Sequence, residues 1–156
     1  MNYLQDVLAD QLSANANEKS WYVPFSEAVK DLTEEEAFWK ADENSNSIGE
    51  IVHHLIHWNK TWQKRYSESS VYAYPSVENN DETFYIEENK QFDELQNKLL
   101  ETLLYWQELL NENQLKSDVK GFSDTKWWEV LASVTTHNAY HIGQIIYIRK
   151  MQKSWR

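Results

Sequence analysis

Residues 137–144 read HNAYHIGQ. An imidazole can ligate a metal, move a proton or simply hydrogen-bond within a core. Spaced four apart on a helix, His137 and His141 lie about 40° apart around the axis and one turn apart along it, so both rings reach one point. Val130, Leu131, Val134, Ile145 and Ile148 fall on one side of that helix, and the two histidines fall toward it. One inward histidine is ordinarily a satisfied core residue. Two at this spacing require partners for four ring nitrogens on one short face. Metal coordination and plain burial are both open on this pair alone.

All five histidines sit in two segments, and the earlier one reads HHLIHWN. The apolar stripe there centres on Ile48, Val52, Leu55 and Trp62. His57 lies nearly opposite the stripe and His53 far round one side. His54, near Ile51 and Trp58, fits best as a partner for His137 and His141, although the wheel alone leaves the choice open. His53 and His57, themselves four apart, read as a solvated face. Glu50–His53 has the Glu-x-x-His spacing of di-iron bundles, but Val134 and Asn138 stand three before His137 and His141, so that site lacks its second half. The His-Glu-x-x-His helix of zinc proteases is absent.

Helices must position these rings. The chain has 156 residues, the length of one domain spanning 1–156, with 41% hydrophobic residues but only three Gly and two Pro. Apolar periodicity predicts long helices over residues 2–18, 47–66, 83–111 and 125–152. Ser47 is the expected N-cap of the second, and Thr33 to Glu36 spells a capping box for a short helix before it. Gly121 marks a turn. Four amphipathic helices in this length read as an all-α four-helix bundle, and two long connections permit parallel neighbours.

Composition removes several function classes. The absence of cysteine excludes disulfides, thiolate zinc sites and an internal cysteine nucleophile. A net charge of −10 opposes phosphate backbones and anionic membrane surfaces, so neither nucleic acid nor membrane is an expected partner. No apolar run is long enough to span a bilayer, and Asp6 and Asp10 interrupt the stretch where a secretion signal would be apolar. The expectation is a cytoplasmic protein. Trp58, Trp62, Trp127 and Trp128 can line a pocket or pack in a core or dimer interface; packing is the expected role.

HNAYHIGQI together with SIGEIVHHLIHWN resembles the DinB/YfiT-like superfamily, over nearly the whole chain and including LTEEEAFW. The resemblance implies an up-down-down-up four-helix bundle, usually a homodimer, with three histidines holding a divalent ion, often zinc or nickel. Two of these correspond to His137 and His141. The third follows the Ser-aliphatic-x-Glu opening at a fixed interval, which selects His54. Glu50 reads as a helix-start charge, with a ligand role as the alternative; Gln144 as the orienter of a ligand or as a polar flank. Asn138 faces inward, and Gly143 permits close helix packing. Some relatives are thiol S-transferases or isomerases that use bacillithiol or mycothiol. The leading expectation from the resemblance is therefore an ion that binds a low-molecular-weight thiol for attack on a small electrophile. A metal-dependent hydrolase, with Glu50 or Glu129 as base, and a non-enzymatic metal-binding dimer are the alternatives.

Overall fold

The computed structural model describes residues 1–155. Helix α1 (Tyr3–Ala16) buries Leu8 and Leu12. Two single-turn helices follow, α2 (Phe25–Ala28) and α3 (Glu34–Phe38), and Thr33 and Glu36 close the expected capping box on α3. Helix α4 (Ile48–Ser67) opens on Ser47: its hydroxyl accepts the Glu50 N–H, while the Glu50 carboxylate accepts the Ser47 N–H at 2.7 Å. Helices α5 (Phe92–Leu109), α6 (Glu112–Leu115) and α7 (Trp127–Met151) complete the chain.

The third long helix begins at Phe92, nine residues later than its periodicity predicts. Asn79 accepts the Asp81 N–H and starts a separate 3-10 turn, Asn80–Phe84. Asn89, at a φ of +80°, interrupts any continuation. The Glu34 carboxylate then receives the Phe92 N–H, capping α5 from α3.

Side-chain pairings give the direction of every long helix. Gln5 meets Glu112 just beyond α5, and Gln107 donates to Ala9, so α1 and α5 run antiparallel. Tyr66 meets Asn111 at one end, while Phe38, which seats against Gly49, packs on Phe92 at the other; α4 and α5 are parallel. Tyr66 packs on Trp127 and His54 reaches His141, so α4 and α7 are antiparallel. The order is up-down-down-up, with α1 and α4 each touching α5 and α7.

Two apolar clusters fill the interior. One gathers Phe25, Ile48, Val52, Leu99 and Ile145; the other gathers Leu12, Tyr66, Trp106, Leu115 and Trp127. An amide layer joins them. Asn59 accepts from the Trp106 indole N–H at 3.0 Å and donates to Asn138 at 2.8 Å, Asn138 donates to Asn15, and Asn15 donates to the Thr135 carbonyl. Asn138 therefore faces inward as expected.

Gly143 does not serve close packing. It is exposed, and a Cβ there would meet nothing within 4 Å. The tight glycine is Gly49, whose Cβ would fall against the Phe38 ring, 2.8 Å from Cδ1.

Candidate metal centre

The inward faces of α4 and α7 bring three imidazoles together. His54 and His141 are buried and His137 is half-buried. His137 Nε2 lies 3.2 Å from His54 Nε2 and 3.2 Å from His141 Nε2. The three ligand-capable atoms lie within 4.8 Å of one another, and this is the one group of three or more such donors among the described residues.

Neighbouring side chains determine which nitrogens carry protons. Gln144 Oε1 can only accept, so His141 Nδ1 donates to it at 2.7 Å. Thr83 donates its hydroxyl to the Asn80 carbonyl at 2.6 Å, leaving an oxygen lone pair for His54 Nδ1–H, also at 2.6 Å. Both imidazoles then turn a bare Nε2 lone pair to the centre. His137 Nε2 can donate one proton to one of them. A cation satisfies all three lone pairs at once, so the donor set fits a divalent metal.

The environment keeps the rings neutral. Burial, reinforced by the neighbouring histidines, lowers the His54 pKa to about 3. Burial and then His141 lower His137 to about 4. Burial also lowers His141, against an opposing contribution from its bond to Gln144. Neutral imidazole is the form that ligates. Phe84 stacks on His54 with centroids 4.0 Å apart and planes 6° apart, shielding one face.

The other expected candidates separate cleanly. Glu50 caps α4 and pairs with Lys40 at 2.7 Å, which makes it a helix-start charge. His53 and His57 are half-buried rather than solvated. The 3-10 turn meets His53, whose Nδ1 donates to the Thr83 carbonyl at 2.8 Å, and the His57 ring packs edge-on against Trp58. His57 Nε2 is buried without a hydrogen-bond partner, and burial lowers its pKa. Sequence reasoning missed Thr83 as a positioning residue by assigning it to the start of a long helix. Asn79, a good turn-opening residue just before it, was the available signal.

A cavity of about 790 Å³ opens beside the imidazoles. Trp58, Trp62, Phe84, Phe122 and Tyr140 contribute its aromatic wall, and Glu129, Val130, Ser133 and Val134 run along α7 toward His137. Trp58 is held in place by donating its indole N–H to Asn80 Oδ1 at 3.1 Å. Of the four expected tryptophans, Trp58 and Trp62 line the cavity, Trp127 is fully buried in the core, and Trp128 lies on the surface.

A sequence model of the DinB superfamily matches residues 22–145. The chain belongs to the DinB superfamily. The match spans both histidine-bearing helices. Among solved structures, the chain is similar to a DinB-like protein, YjoA, from Bacillus subtilis, with a TM-score of 0.67 at 17% identity, covering 94% of this chain and 92% of that one. That likeness establishes a shared DinB fold. No curated protein matches the chain. Among the described residues of this DinB-superfamily member, no helix is long and apolar enough to cross a membrane.

Proposed function

We propose that this chain is a divalent-metal-dependent enzyme acting on small molecules, and that thiol S-transfer to an electrophile is the reaction its site fits best. The observation that carries the reading is the cavity leading to three neutral, converging imidazoles. A closed structural site has no such approach. Zinc and nickel suit a set of imidazole ligands. When bound, a divalent ion supplies Lewis acidity that makes a thiol or a water more acidic near neutral pH.

The chain's own side chains do the rest. His54, His137 and His141 hold the ion, Thr83 and Gln144 orient two of them, and Phe84 excludes water from one side. The carboxylates considered as bases for hydrolysis are poorly sited. Glu50 is committed to Ser47 and Lys40. Glu129 precedes His137 by eight residues, about 12 Å along the helix. Attack by water benefits from an adjacent base, whereas a thiol acidified at the site needs none. The chain has no cysteine, so the thiol arrives as a cosubstrate. A homodimer, the usual state implied by the resemblance, belongs to the same proposal and is read by sedimentation velocity.

Elemental mass spectrometry of untagged protein is expected to find about one zinc or nickel per chain. His54→Ala, His137→Ala and His141→Ala should each abolish tight binding, and His57→Ala should retain it. Thiol consumption with a panel of electrophiles, lost in the triple variant, supports transfer; thiol-independent ester cleavage points to a hydrolase instead. Wild type that carries no metal and binds no added zinc, nickel or manganese overturns the reading.

A further inference from the structure

The cavity has a charge pattern that metal binding leaves unused. Among the described residues lining it, Glu129 is the one acid, and there is no lysine or arginine. Glu129 Oε2 accepts the Lys126 N–H at 2.7 Å at the start of α7, and its Oε1 holds no hydrogen bond. Nearby cations are engaged elsewhere. Lys126 Nζ pairs with Asp118 at 2.6 Å. The buried Arg65 lies 4.7 Å from the centre of the Trp62 ring, with its N–H groups donated to the Tyr74 carbonyl and the Ser76 hydroxyl. That contact occupies one face of Trp62. Trp58, Phe122 and Tyr140 offer further aromatic surface, which favours cations over anions. The net charge of −10 adds a long-range bias of the same sign.

We infer that this cavity takes a cationic amphiphile, an aryl-alkyl amine in chemical class. Its ammonium pairs with Glu129, its apolar body lies on Val130 and Val134 against the Trp62–Phe122 pair, and its far end reaches the histidines. The distance along α7 from Glu129 to His137, about 12 Å, suits a ring joined to an amine by a short chain. Trp62 and Phe122 already pack together with centroids 6.0 Å apart, forming one continuous apolar wall. The inference rests on the proposed metal chemistry only for what happens at that far end. It also narrows the cosubstrate: beyond the ion held by the histidines, a strongly anionic thiol finds no lysine or arginine among the described lining residues.

The test compares three probes with one body and different charge: 4-phenylbutylamine, 4-phenylbutanol and 4-phenylbutyrate. Calorimetric titration of EDTA-treated wild type removes any ligation of metal by the probes. The amine is expected to bind about ten-fold tighter than the acid, with the alcohol between them. Glu129→Gln keeps the helix cap and should weaken the amine about five-fold, leaving the alcohol unchanged. Ser133→Lys, on an exposed position of the same wall, should reverse the order and make the acid the tightest. Circular dichroism checks that both variants are folded, and the probe comparison in wild type depends on neither. Equal binding of acid and amine, or an amine affinity untouched by Glu129→Gln, overturns the inference. Metal content measured before EDTA treatment separates the two ideas: selective amine binding by a chain that takes up no metal removes only the metal reading, and a metal-loaded chain without that selectivity removes only this one.

Discussion

A threonine hydroxyl decides which nitrogen His54 offers to the centre. Its lone pair faces Nδ1 because its own proton is given to the Asn80 carbonyl. Thr83→Val keeps the shape and removes the acceptor, so His54 is free to adopt the tautomer with a protonated Nε2. Metal affinity should then fall about 10- to 100-fold, measured by competition with a chromogenic chelator. An unchanged affinity would show that the hydroxyl does not hold the tautomer. That His137 and His141 converge was legible from spacing, because four residues is a fixed geometry on a helix, whereas the pair alone left metal coordination and plain burial both open. His54 was only weakly legible. Three histidines crowd about one turn of α4, and helical periodicity alone does not separate them. Thr83 was not legible as a partner, since its contact to His54 spans 29 residues and a loop.

At the scale of the element, close packing falls to Gly49 and not to Gly143, where it was expected. Gly49 sits under the Phe38 ring, which is itself packed edge-on against Phe92 with centroids 6.4 Å apart. Gly49→Ala must push that ring aside and should cost about 1–3 kcal/mol. Gly143→Ala adds a methyl to an open helical surface and should stabilise by about 0.5–1 kcal/mol. Urea melts of both variants read the two signs directly, and a destabilised Gly143→Ala would reveal a packed neighbour at that face. The caps on α3 and α4 were legible because Ser/Thr-x-x-Glu satisfies its own backbone locally. The start of α5 was not. The periodicity of 83–91 continues the helix on paper, but the cap on Phe92 comes from Glu34, 58 residues away.

For the whole molecule, the histidines couple stability to pH. Unfolded, each imidazole titrates near 6.5. In the metal-free fold His54 is lowered to about 3 and His137 to about 4. The unfolded chain therefore takes up protons first on acidification. The contribution of these rings is whole above pH 6.5 and is lost as pH falls through the window from 6.5 toward 4 and 3. Urea unfolding of EDTA-treated wild type between pH 7.5 and 4.5 should show stability falling more steeply than in the triple histidine variant, in which only the other titrating groups contribute. Parallel slopes would refute the coupling. The amide layer acts on the same scale, but its consequence is kinetic. Asn15, Asn59, Trp106 and Asn138 come one from each long helix, with hydrogen-bonded partners 47 to 123 residues apart. No pair or triplet of helices can bury its share of the layer without stranding an amide away from water, at a cost of about 1–3 kcal/mol per group. Partly assembled bundles are penalised accordingly, and the search for the native state is biased toward closing all four helices in one concerted step.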